Sequence, residues 1–287
     1  MRATCSKPAS GNSLADPDPL DVSGRTTTPA LADTLIVMER TERDYTLGEV
    51  TMAYSEIPSS GDYEFVLIHG IGMGRIVYSD IADLFSHHGR VLAVDLPGFG
   101  DSPEPGTAAS LELTAEVVAR FISDEATRPV VLIGHSKGTQ IVTEVAAKHP
   151  DLVEALVLIA PTVNRRERTA LKQSLRMVQD LAGEGPKVLF TGLWAYTKTS
   201  PMWFINKLRF MLNHHLEDLC AHVPTPTFVM RGETDRVCPR DWVSEIASAF
   251  PDGTMAEIPG RGHEAIIKSA EPAGSMILEY LAGHVTK

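Results

Sequence analysis

Three side chains able to serve as a nucleophile, an orienting acid and a base occur in this chain in that order: Ser136, Asp235 and His263. Ser136 stands in Gly134-His135-Ser136-Lys137-Gly138, a G-x-S-x-G pattern placed directly after the apolar run 130–133 and directly before helical spacing over 139–148. A sharp strand-to-helix turn forces its central serine into a strained backbone conformation, so its flanks must lack bulky Cβ atoms, and Gly134 and Gly138 meet that need. The hydroxyl is then lifted above the sheet, and the N-terminus of the following helix favours negative charge at the same place. Serine is a weak nucleophile at neutral pH and needs an adjacent base.

Strands that end in loops supply the partners. The run 227–231 leads into Gly232-Glu233-Thr234-Asp235, and the run 254–258 leads into Pro259-Gly260-Arg261-Gly262-His263. Asp235 is the expected acid, with Glu233 two residues earlier as its competitor, and His263 is the expected base. Acyl chemistry also needs donors for a developing oxyanion. The backbone N–H of Lys137 is one candidate. The other lies in the glycine-rich stretch His69-Gly70-Ile71-Gly72-Met73-Gly74, with Ile71 as the chosen donor and Gly72 as the alternative. Counted from Gly70, a dinucleotide fingerprint would need a third glycine where Arg75 stands, so that reading fails. His69 is expected to tie the loop by hydrogen bonding rather than act as a second base.

Positioning these residues takes a sheet. Apolar runs at 63–68, 90–94, 130–133 and 152–159 alternate with helical spacing at 76–87, 110–124 and 139–148. Runs 34–40 and 45–56 look like an opening hairpin. After an interruption the rhythm resumes with strand 227–231, helix 241–250, strand 254–258 and a last helix from about 263 to 281. The expected fold is α/β: a mostly parallel eight-stranded sheet with helices on both faces and an inserted helical lid. Residues 1–33, rich in Pro, Ser, Thr, Asp and Gly, read as a flexible tail. The core is expected over 34–161 and 224–287, and the lid over 162–223.

The lid carries Trp194, Tyr196, Trp203 and Phe204, which either roof an apolar pocket or pack the lid onto the core. Its Arg165, Arg166, Arg168, Lys172 and Arg176 admit a weaker reading as a membrane-surface face. His214, His215, Cys220 and His222 lack the spacing of a zinc site, so no metal and no cofactor are expected.

The chain has 287 residues, with 43% hydrophobic and 22% charged side chains and a formal net charge of −11. That balance excludes a general nucleic-acid surface, which needs a basic stripe. Cys5, Cys220 and Cys238 form no framework and fit reduced thiols in a cytoplasmic setting. The first residues show no apolar stretch for a signal peptide, and no segment has the ~20 apolar residues of a membrane span. The partner expected is a small-molecule acyl substrate, without stable membrane insertion.

These motifs, together with Asp95-Leu-Pro-Gly-Phe-Gly-Asp-Ser102, resemble the α/β-hydrolase superfamily, in particular its capped esterase, carbon–carbon hydrolase and haloperoxidase-like branch. The resemblance covers roughly residues 34–281. It implies that segment 95–102 forms a turn beside the active site. Two positions depart from the pattern: Lys137 stands where relatives often have methionine or another uncharged residue, and Thr139 where many have glycine. Epoxide hydrolases and haloalkane dehalogenases of this scaffold use an elbow aspartate, and Ser136 argues against both. The expectation is a serine-dependent hydrolase that cleaves an ester, thioester or activated carbon–carbon bond through an acyl-enzyme. A cofactor-free acyltransferase or perhydrolase, and a non-catalytic binding protein on the same fold, are the alternatives.

Overall fold

Period-two alternation within nearly unbroken apolar strands demands cover on both faces of a sheet, and that is how the chain packs. In the computed structural model, which describes residues 39–107, 109–181, 200–267 and 269–285, eight strands form one sheet in the order β1-β2-β4-β3-β5-β6-β7-β8. β1 (Thr41–Leu47) and β2 (Val50–Ile57) make an antiparallel hairpin, and β2 also runs antiparallel to β4. β3 (Tyr63–Ile68), β4 (Gly89–Val94), β5 (Val130–His135), β6 (Val153–Ile159), β7 (Thr227–Gly232) and β8 (Gly253–Ile258) are mutually parallel.

Alternate residues of one strand feed two separate cores. Val66, Ile68, Leu132, Leu156 and Leu158 face α2 (Leu111–Glu125), α3 (Lys137–Lys148) and α7 (Arg240–Ala249). Phe65, Leu67, Ile133, Val157 and Ile159 face α1 (Ser79–Ser86) and α8 (Ala273–His284). At about 25 cal/mol per Å² of apolar surface removed from water, such two-sided burial dominates the folding free energy.

Two boundaries differ from the sequence reading. The hairpin lies at 41–47 and 50–57, whereas much of the expected run 34–40 and the whole 1–33 tail fall outside the described residues. β1 is an edge strand with only Tyr45 buried, so it carries no apolar alternation to read, and Gly48 (φ 60°) turns it into β2. The last helix starts at Ala273, not near 263. Pro272 precedes it, a residue that cannot continue a helix from its N-terminal side, and residues 263–267 form a turn instead.

Between β6 and β7 the chain forms a short 3₁₀ turn (Arg165–Glu167), α4 (Ala170–Leu181), α5 (Pro201–Asn213) and α6 (Leu216–Leu219). Buried polar contacts hold this insertion to the core. His214 Nε2 lies 2.8 Å from Glu144 Oε1 on α3, whose other oxygen pairs with Lys148 at 2.9 Å. Gln140 Nε2 donates to Met211 O at 3.0 Å, and Trp203 Nε1 to Pro97 O at 3.2 Å. Of the insertion's basic residues, Arg165 and Arg166 pair with Glu245, Arg168 with Glu217 and Arg176 with Glu167, while Lys172 donates to the Arg166 carbonyl at 3.4 Å. Trp194 and Tyr196 lie outside the described residues.

Candidate active site

β5 passes into α3 through Ser136, which holds φ 51° and ψ −120°. That strained conformation survives because its surroundings over-determine it. Ser136 N donates to Ile159 O at 2.9 Å, and Ser136 O accepts from Thr139 N at 3.0 Å and Thr139 Oγ1 at 2.6 Å. Thr139, one of the two departures, thus caps the elbow. The flanking glycines are needed for close approach: a Cβ on Gly134 would stand 2.6 Å from Val142 Cγ2, and one on Gly138 would collide with the Ile68 carbonyl.

The three expected side chains meet. His263 Nε2 lies 3.0 Å from Ser136 Oγ, and His263 Nδ1 lies 3.0 Å from Asp235 Oδ2. The other Asp235 oxygen accepts from Val237 N at 2.8 Å and Cys238 N at 2.9 Å, which leaves the carboxylate one orientation. Ser136, Asp235 and His263 are all buried. Glu233 is exposed and accepts from Gly260 N at 2.8 Å, away from the imidazole. Burial disfavours the charged imidazole, but the Asp235 carboxylate outweighs it and lifts the His263 pKa above the ordinary histidine range.

The backbone of His263 is gripped from both sides. Its N–H donates to Asp180 Oδ2 at 2.7 Å, and its carbonyl accepts from His135 Nε2 at 3.0 Å. Asp180 Oδ1 also accepts from Arg236 N at 3.0 Å, so one buried carboxylate in the last turn of α4 ties the acid loop to the base loop. The sequence reading missed Asp180 and His135. A lone acid in an amphipathic helix has no local signature, and His135 looked like a variable place in the motif. Burial drives the His135 pKa down to about 4, with repulsion from His263 adding to it, so the ring stays neutral.

Ile71 and Lys137, the expected oxyanion donors, flank the nucleophile. Lys137 opens α3, where first-turn N–H groups have no partner within the helix. Gly70 packs so closely that a Cβ there would lie 3.1 Å from Ser136 Cβ, and Ile71 lines the cavity above the serine. His69 anchors this loop. Its Nε2 accepts from Leu96 N at 2.9 Å, so Nδ1 carries the proton and donates to Gly70 O at 2.7 Å. Burial holds its pKa down to about 3. Asp95 fastens the neighbouring turn through Arg75 and through Asp101 N at 2.8 Å.

The cavity measures about 310 Å³ and opens on Ser136 and His263. Met177 and Val178 of α4, and Phe204, Leu208 and Met211 of α5, make much of its apolar wall. Two neighbouring aromatics of α5 divide the expected roles: Phe204 faces the cavity, and Trp203 packs against the turn at Gly98. Asp235, Cys238 and His263 lie close enough together to suggest a metal. Both imidazole nitrogens are already engaged, however, and burial pushes the Cys238 thiol up to about 12 while it donates to Pro161 O at 3.2 Å. The trio does not fit an ion.

The sequence profile of the alpha/beta hydrolase family matches residues 65–273, most of the chain. The chain belongs to the alpha/beta hydrolase family. A pimeloyl-acyl-carrier-protein methyl ester esterase of Vibrio cholerae is 26% identical over 258 residues, covering 80% of this chain and 99% of that protein. Two solved structures share the fold. An esterase from Thermogutta terrifontis superposes with a TM-score of 0.72 at 20% identity, covering 86% of this chain and 100% of that one. An enol-lactonase from Burkholderia xenovorans superposes with a TM-score of 0.72 at 18% identity, covering 84% and 100%. Among the described residues of this alpha/beta hydrolase, no helix is long and apolar enough to cross a membrane.

Proposed function

We propose that this alpha/beta hydrolase is a serine esterase that cleaves carboxylic esters through an acyl-enzyme on Ser136. The observation that carries the reading is the unbroken relay from Asp235 Oδ2 through the His263 ring to Ser136 Oγ, two steps of 3.0 Å ending at an apolar cavity. His263 takes the hydroxyl proton as Ser136 attacks the ester carbonyl, then returns it to the departing alcohol. Asp235 holds the Nδ1–H tautomer and stabilises the imidazolium. The N–H groups of Ile71 and Lys137 receive the oxyanion. Water repeats the sequence to free the acid. The insertion acts as the lid, its α4 and α5 side chains holding the acyl chain. The esterases among its relatives support the choice of ester over other acyl bonds.

The test is labelling by a fluorophosphonate probe together with hydrolysis of nitrophenyl esters. Wild type should label and turn over, and Ser136→Ala and His263→Ala should each lower kcat by about a millionfold. Undiminished labelling of Ser136→Ala would remove the assignment.

A further inference from the structure

A lysine directly follows the nucleophile, and its side chain is 1% exposed. Among the described residues the Lys137 ammonium has no carboxylate and no hydrogen-bond acceptor. It stands 5.3 Å from the centroid of Phe99. The charge it feels most is another buried lysine, Lys207 of α5, which is 2% exposed. Lys207 donates to Ala109 O at 2.8 Å and lies 4.7 Å over the Trp203 ring, again without a carboxylate. Trp203 in turn packs on Gly98, next to Phe99, so both amines lie against the aromatic side chains held between residues 97–99, α3 and α5.

Two like charges buried without a counter-ion cost stability, and apolar side chains of similar size would fill the space better. The arrangement becomes favourable when an anion arrives. We propose that the Lys137 and Lys207 amines form a subsite for the free carboxylate of the substrate, a half-ester of a dicarboxylic acid whose esterified end reaches Ser136. Two amines match the two oxygens of one carboxylate. The aromatic walls exclude the water that would otherwise weaken the pairing. Burial, with repulsion from Lys207, brings the Lys137 pKa down to about 7, and burial brings Lys207 to about 8. A bound carboxylate restores their charge, so binding takes up protons above neutrality. Among the described residues His69 is the other titratable group that faces Lys137, and burial holds it neutral.

The inference rests on the esterase reading, and the two are tested apart. Ser136→Ala protein, which cannot turn over, is titrated calorimetrically with the monomethyl and dimethyl esters of each linear diacid from succinate to sebacate. At the length that fits, the anionic monomethyl ester should bind roughly tenfold or more tightly than the neutral diester, the size of one charge-assisted hydrogen bond. Adding Lys137→Met or Lys207→Met should abolish that preference while diester binding persists. Buffers of different ionisation enthalpy should report proton uptake that disappears with the lysines. Equal affinity for both esters at every length, or a preference that survives both substitutions, overturns the subsite. If the preference holds but the wild type hydrolyses neither ester, the esterase reading falls and the subsite stands.

Discussion

The His263 imidazole must be neutral to accept the serine proton, so the rate rises with pH as the ring loses its own proton. Asp235 raises the pKa of that ring, which moves the rise to higher pH than an isolated histidine would give. Replacing Asp235 by Asn removes the charge and the charged acceptor. The expected outcome is a kcat lower by about ten-thousandfold, with the remaining activity rising at lower pH than in wild type. A pH–rate profile of each protein checks it, and an unmoved acidic limb would show that Asp235 does not set the ring's charge. At this scale the sequence was informative for Ser136, Asp235 and His263, because each lies shortly after a strand, β5, β7 and β8 respectively, at one edge of the sheet. It was silent on the burial of Lys137, since nothing in the motif tells which way that side chain leaves α3.

The elements add a constraint that their sequence spacing does not show. α4 reaches from the insertion to the catalytic loops through Asp180, and a carboxylate accepting two backbone N–H groups fixes both loops at once. Asp180→Asn keeps the shape but sets an amide N–H₂ against one of those donors. We expect kcat to fall by about tenfold to a hundredfold, as a small displacement of a base does. KM should change little, and the pH of the acidic limb should stay in place. Fluorophosphonate labelling at the wild-type rate would show the tie to be dispensable. Strand and helix order was legible because the apolar runs sit at the right intervals. The first strand was not, being polar and at an edge, and the last helix was placed too early because residues 264–267 are apolar enough to mimic a helical turn.

Across the molecule, the insertion and the sheet share buried polar anchors, and one is sensitive to acid. Burial opposes the charge on Glu144, but the hydrogen bonds from His214 and Lys148 outweigh it and hold its pKa below the ordinary glutamate value. A depressed carboxylate pKa contributes stability that is present above the unfolded value and is lost as pH falls through the folded one. Glu144→Gln should therefore lower stability at neutral pH by about 2 kcal/mol and flatten its loss on acidification, read from denaturant unfolding at several pH values. Equal acid sensitivity in both proteins would refute the assignment. That the described residues between β6 and β7 are helical was legible from the missing strand rhythm. Its anchoring was not, because Glu144 and His214 are 70 positions apart and neither sits in a motif.

The bridge from α4 to the imidazole works in both directions, because a free energy shared by two parts of a molecule is reciprocal. Whatever steadies the histidine must also steady the helix above it. A covalent phosphonate on Ser136 should slow deuterium uptake along residues 170–181, and Asp180→Asn should sever that effect while the adduct still forms. The roof of such a pocket reports on events at its floor.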